Sequence, residues 1–247
     1  MRRQAVRKGL ILVSFLLMPI TLYYMSPALI IMGAAQGVVV GSAIVFGAQF
    51  ISALLLGRAF CGWVCPGAGL QEACMVVTDR RAAGGRWDGV KYAIWVPWIG
   101  TIVWATIHAG GPRTVEFFFQ MPGGISLAEP AQYPIFYVVI GLITLPALAA
   151  GRRGFCHYAC WMAPFMVIGT RLRNLVRWPA LHLRSDVAQC SGCGRCTRDC
   201  PMSLDVRHLV ERPNMDHAEC VLCGTCVDGC PKGAIRYSFG DGGYRGP

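Results

Sequence analysis

Gly9-LILVSFLLMPITLYYMSPALIIMGAAQGVVVGSAIVFGAQFISALLL-Gly57 runs for 49 residues between Lys8 and Arg58 without an Asp, Glu, Lys, Arg or His. One membrane crossing needs about 20 apolar residues, so this run predicts two. Ser26-Pro27 marks the break, because the residue before a proline is driven out of helical geometry. The first span is expected over 9–25 and the second within 28–57, which is Gly-rich and longer than a crossing requires. Two further apolar runs predict spans at 92–109, closed by Gly110-Gly111-Pro112, and at 133–150, closed by Gly151-Arg152-Arg153. No small-x-small cleavage site lies between Tyr24 and Ala28, so the first span reads as a retained helix rather than a signal peptide.

Composition agrees with a membrane protein. Of the 247 residues, 54% are hydrophobic and 15% charged, with a mean hydropathy of +0.46, whereas soluble domains carry about 25% charged residues. The formal net charge of +10 does not signal nucleic-acid binding, because the basic residues flank the apolar runs. Arg2, Arg3, Arg7 and Lys8 precede the first span, and Arg58, Arg80, Arg81, Arg86 and Lys91 separate the second from the third. Arg152, Arg153, Arg171, Arg173 and Arg177 follow the fourth, while the loop 110–132 carries Arg113 alone. The positive-inside bias therefore places both termini and the 58–91 loop in the cytoplasm. The stretch 164–178, apolar but studded with Arg171, Arg173 and Arg177, reads as a helix on the inner membrane surface.

Cysteine accounts for 13 residues. Cys190-x2-Cys193-x2-Cys196-x3-Cys200-Pro201 is followed by Cys220-x2-Cys223-x2-Cys226-x3-Cys230-Pro231. This is the bacterial ferredoxin run, twice. Three thiolates in a tight loop cap three irons of a cube, and the fourth cysteine crosses to the other cluster. The expected ligands are Cys190, Cys193, Cys196 and Cys230 for one [4Fe–4S] cluster, and Cys220, Cys223, Cys226 and Cys200 for the second. Zinc knuckles use separated pairs of ligands and account poorly for a duplicated 2-2-3 spacing.

Two further pairs stand where the second and fourth spans reach the cytoplasm: Gly57-Arg58-Ala59-Phe60-Cys61-Gly62-Trp63-Val64-Cys65-Pro66 and Gly151-Arg152-Arg153-Gly154-Phe155-Cys156-His157-Tyr158-Ala159-Cys160-Trp161. Each follows two spans, so the chain reads as a weak two-fold repeat. Cysteines at i and i+4 share a helix face, and two such pairs facing each other present four thiolates to a third [4Fe–4S] cluster. A redox-active dithiol, a copper(I) site or plain packing are the other readings. Cys74, a singleton, reads as packing.

The combination resembles the NapH/MauN-type membrane iron–sulfur proteins, which are quinol dehydrogenase membrane subunits. The same core is shared with the membrane domains of NosR and CcoG proteins. The resemblance rests on Gly57-Arg58-x-Phe60-Cys61-Gly62-Trp63-x-Cys65-Pro66, on the glycines Gly67 and Gly69 and the Gln71-Glu72 pair that follow it, on the second Cys-x3-Cys, and on the ferredoxin tail. It departs at Trp161, which stands where a proline would follow the second pair; Pro164 comes soon after. The resemblance implies electron transfer coupled to the quinone pool, with other redox subunits as partners.

Intrinsic haem is not expected, since His108 and His157 fall at opposite faces and the spans supply no further histidine. His108, Glu116 and Glu129 are candidate quinone-site proton acceptors on the outer side, where Phe117, Phe118, Phe119 and Met121 also gather. Arg195 and Arg198, among the cluster ligands, are candidates for tuning charge or docking an acidic partner. The expected fold class is a mainly α membrane protein: four transmembrane helices in two pseudo-repeats over residues 1–163, a basic interfacial linker at 164–184, and a small α+β two-cluster ferredoxin domain at 185–247. Electron transfer between quinone, or a partner subunit, and cytoplasmic clusters is the expected function. An assembly factor that reduces copper or a disulfide is the alternative.

Overall fold

A computed structural model describes residues 2–212 and 215–240; the tail 241–247, assigned above to the ferredoxin domain, lies outside the described residues. Helix α1 (Arg2–Leu16) bends by 60° at Leu17 into α2 (Met18–Thr21) and a 3-10 turn over Leu22–Met25. Pro19 stands in the first turn of α2, where its missing N–H breaks the ladder from α1. The first apolar run is thus helical from Arg2 but sharply bent, not a straight span over 9–25. Ser26 then caps α3 (Pro27–Gln36), its hydroxyl accepting from the Leu29 N–H at 3.4 Å with Pro27 in the first turn. The break expected there is present.

The second apolar run does not form one helix. Gly37 adopts a left-handed φ of 70°, which glycine accepts without a Cβ clash and which ends α3. Val38–Val40 (β1) pairs in parallel with Thr114–Glu116 (β2), and α4 (Gly41–Leu56) resumes the helix. At 10 and 16 residues, α3 and α4 are each shorter than a crossing. After α4 come α5 (Ala59–Trp63), α6 (Pro66–Cys74) and α7 (Val90–His108), then α8 (Tyr133–Ala150), α9 (Gly154–Tyr158) and α10 (Ala163–Leu175). The third and fourth predicted spans correspond to α7 and α8 within two residues at each end.

Two helical stretches, Gly85–His108 and Pro130–Ala150, are long and apolar enough to cross a membrane; the bent pair Arg2–Leu16 and Met18–Met25 makes a third if counted as one. In each of the two long stretches only 11% of the apolar window is buried by protein. Trp104, Ile107, Tyr137 and Leu145 accordingly point outward, as suits a lipid-facing surface. Helix α10 covers most of the stretch 164–178; it buries Met166, Val167 and Gly169 and packs along α4. Helix α6 packs between α1 and α8.

The C-terminal part is small. Strand β3 (Ala180–Ser185) pairs antiparallel with β4 (Ile235–Gly240), in register from Ala180 opposite Gly240 to Ser185 opposite Ile235. Between them lie three one-turn helices, α11 (Arg195–Arg198), α12 (Val206–Val210) and α13 (Thr225–Gly229). Strand β3 crosses the boundary drawn from sequence at 184/185, with all but Ser185 on the linker side. The core beneath this sheet is continuous with the inner end of the helical part. One buried cluster joins Ala53, Cys61, Cys156 and Met166 to Met202, Val221, Leu222, Cys223 and Cys226.

Candidate metal centres

In the ferredoxin-like part, α11 and α13 each begin after a glycine with φ near 70°, Gly194 and Gly224. Cys200, Cys220, Cys223 and Cys226 line a single small apolar cavity with Leu183, Met202 and Val221. Burial pushes the Cys220 thiol up to about 12 and Cys200 to about 11. Such sulfurs stay protonated at neutral pH unless a bound cation draws the proton off. Cys190, Cys196 and Cys230 are partly buried and Cys193 is exposed; the Arg195 backbone N–H holds the Cys193 thiol below its ordinary value.

The second group is assembled by the helical part. Cys61, Cys65, Cys156 and Cys160 are all about 95% buried. Cys65, Cys156 and Cys160 line a small cavity with Met18, Leu22, Ile143 and Trp161, and the Cys61 sulfur lies within electrostatic reach of Cys65 and Cys160. The pairs do not sit on one helix face, as the i, i+4 spacing suggested. Helices α5 and α9 are five residues long and end before the second cysteine of each pair. The Cys65 N–H instead reaches back to the Phe60 carbonyl at 3.0 Å, and the Cys160 N–H to Phe155 at 2.9 Å. The same i to i−5 backbone closure thus recurs in both pairs. Pro66 opens α6, and Pro164 stands in the first turn of α10, so the proline displaced by Trp161 in sequence still starts the helix after the pair. Gln71 fixes Cys156 by donating to its sulfur at 3.1 Å and accepting from its backbone N–H at 3.3 Å.

Zinc with four sulfurs at about 2.3 Å would draw them to roughly 3.8 Å from one another. Among the described residues, the ligand atoms grouped within 4.8 Å belong to Asp88, His157 and Glu219 rather than to any cysteine trio. Each of these three groups already has protein partners. His157 contacts Asp88 through Nδ1 at 2.5 Å and the Met202 carbonyl through Nε2 at 3.1 Å. Both Glu219 oxygens are taken, by Arg58 Nη1 and Lys91 Nζ at 2.6 Å each. Burial alone would raise the Glu219 pKa, but Arg58 and Lys91 hold it at about 2.

The two cysteine groups touch. A Cβ on Gly62 would stand 2.2 Å from the Val221 carbonyl oxygen and 3.4 Å from the Cys223 Cα, so only glycine allows this approach. Trp63 donates its indole N–H to the Leu222 carbonyl at 3.0 Å. Arg153 donates to the Cys61 carbonyl at 2.8 Å and pairs with Glu72. Arg7 holds the same Glu72 at 2.8 and 2.9 Å. Sequence reasoning did not single out Glu72, Lys91, Asp88, Gln71 or Glu219 as site residues. Signals were available for Arg58 and Arg153, each three residues before the first cysteine of its pair, and for Gln71-Glu72, which entered only as part of the resemblance.

The structure does not bring His108, Glu116 or Glu129 to either group. Lys91, at the start of α7, contacts Glu219 beside Cys220, whereas His108 ends the same 19-residue helix, about 26 Å away at 1.5 Å per residue. His108 Nδ1 faces the Trp104 carbonyl at 2.9 Å, Glu116 is exposed on β2, and Glu129 forms a capping box with Gln132. Cys74 packs against the apolar core.

The family described as "4Fe-4S dicluster domain" matches residues 189–235. A second, "4Fe-4S binding domain", matches 38–76 and 132–179, the two stretches that carry Cys61–Cys65 and Cys156–Cys160. Among curated proteins, the chain is 24% identical to "Putative electron transport protein YccM" of Escherichia coli K12 over 66% of this chain and 47% of that protein. It is 27% identical to "Nitrogen fixation protein FixG" of Rhizobium meliloti over 64% and 35%. It is 26% identical to "Protein RdxB" of Cereibacter sphaeroides over 64% and 38%. The chain thus spans between about a third and a half of these relatives' length. No solved structure matches. Together with the cysteine geometry, these matches support iron–sulfur electron transfer by a membrane-associated protein.

Proposed function

We propose that the chain is a multi-pass cytoplasmic-membrane protein of NapH/MauN type that passes electrons between the quinone pool, or a partner redox subunit, and cytoplasmic [4Fe–4S] clusters. The observation that carries this reading is the Gly62–Val221 contact, which sets the juxtamembrane cysteines directly against the loop holding Cys220 and Cys223. In it, Cys220, Cys223, Cys226 and Cys200 hold one cluster, and Cys190, Cys193, Cys196 and Cys230 the other. Cys61, Cys65, Cys156 and Cys160 hold a third at the membrane surface. Bound clusters supply one-electron carriers; the chain fixes their spacing and surroundings. The shared pattern of long apolar helix, positive-φ glycine, short cysteine helix and proline-started helix in α4–α6 and α8–α10 supports a two-fold pseudo-repeat. Packing of α6 on α8 and of α10 on α4 is how the two halves would bring their cysteines together. The basic residues clustered at the ferredoxin end support a cytoplasmic placement.

Iron and acid-labile sulfide per chain test this reading, on anaerobically purified protein beside a Cys61→Ser/Cys156→Ser variant. About twelve irons in wild type falling to about eight in the variant are expected. About eight in both would leave a dithiol or copper(I) role, and the assembly-factor reading, in its place.

A further inference from the structure

Arg58 and Arg153 are 1% and 0% exposed, and each precedes the first cysteine of a juxtamembrane pair by three residues. Among the described residues, four buried cations, Arg7, Arg58, Lys91 and Arg153, form ion pairs with two carboxylates, Glu72 and Glu219. With Asp88 counted as well, which lies within 4.8 Å of Glu219 and acts on Lys91, the four cations exceed the neighbouring carboxylates by one, an arrangement that is costly in a dry interior. Its hydrogen bonding is also incomplete. Nε and Nη2 of Arg58 and Nε of Arg153 are buried with no acceptor among the described residues, although buried donors are nearly always satisfied. The charge of Arg58 is felt at Cys61 and Cys156, and that of Arg153 at Cys65, Cys156 and Cys223. A [4Fe–4S] core held by four thiolates carries roughly two negative charges and has sulfurs that accept hydrogen bonds.

We infer that Arg58 and Arg153 are positioning residues that balance the charge of an anionic juxtamembrane cluster and set its reduction potential from the side facing the ferredoxin-like part. The inference rests on the proposed third cluster. Reduction adds one negative charge, so each arginine stabilises the reduced form and raises the potential. Glu72, which partly cancels Arg153, acts in the opposite sense.

Potentiometric titration of the juxtamembrane cluster's paramagnetic signal, with iron counted on the same samples, tests this. Arg153→Gln is expected to move the one-electron equilibrium about tenfold toward the oxidised form, a potential about 59 mV lower. Glu72→Gln is expected to raise it. Opposite signs would not arise from a merely structural disturbance. Should Arg153→Gln lose the cluster, Arg153→Lys decides. About twelve irons and a potential near wild type would support charge balance, and loss of the cluster there too would overturn it. Unchanged potentials at about twelve irons would overturn this inference alone, whereas about eight irons in wild type would overturn it together with the proposed cluster.

Discussion

The indole N–H of Trp63 donates to the carbonyl oxygen of Leu222 at 3.0 Å, tying the loop between Cys61 and Cys65 to the loop between Cys220 and Cys223. The two cysteine groups, though far apart in sequence, thus share one wall, which contains Gly62, Arg153 and Val221.

Enlarging Gly62 should open that wall. In Gly62→Ala the new Cβ, 2.2 Å from the Val221 oxygen, forces the two loops apart at a cost of about 1–3 kcal/mol, typical of overpacking. Faster proteolysis of the segment 180–240 is expected, with slower reduction of its clusters from the membrane side and an unchanged iron count. Proteolysis and reduction at wild-type rates would contradict the contact.

The Arg7–Glu72–Arg153 network predicts an acid-sensitive contribution to stability. Burial works against the Glu72 carboxylate, but Arg153 and Arg7 hold its pKa at about 2, against an ordinary 4.5. A depressed folded-state value means that the stabilisation is full above pH 4.5 and is lost as the pH falls toward 2. Removing the carboxylate strands two buried arginines, so Glu72→Gln should cost about 3–5 kcal/mol at pH 7. The difference in denaturation midpoint from wild type should shrink only below pH 4.5. A constant gap between pH 7 and 3 would refute the assignment.

Cys223 lines the cavity shared with Cys200, Cys220 and Cys226. Cys223→Ser is expected to lose about four irons. It should also loosen the β3–β4 unit, because so small a core relies on bound metal for its folding energy; hydrogen exchange over 180–240 would register this. Exchange at the wild-type rate after loss of the iron would show that apolar packing suffices.

Legibility in the sequence followed the range of the interactions. The break at Ser26-Pro27 and the ends of α7 and α8 could be read because proline, glycine and an apolar run act locally. The division of the second apolar run could not, because it depends on Val38–Val40 pairing with the distant Thr114–Glu116. The cysteine motifs were visible by spacing, yet Cys65 and Cys160 leave their helices through backbone closures that an i, i+4 rule overlooks. Glu219 illustrates the remainder: it sits beside a cysteine as an ordinary acidic residue until the fold delivers Arg58 and Lys91 to it.

The central claim, a continuous path from the membrane surface into the ferredoxin-like part, is tested most directly by electron paramagnetic resonance of the fully reduced protein beside Cys61→Ser/Cys156→Ser. Neighbouring reduced clusters couple magnetically. The account predicts that the wild-type spectrum carries interaction features between the juxtamembrane cluster and the one held by Cys220, Cys223 and Cys226, and that the variant retains only those of the two ferredoxin clusters. Superimposable spectra from the two proteins would contradict it.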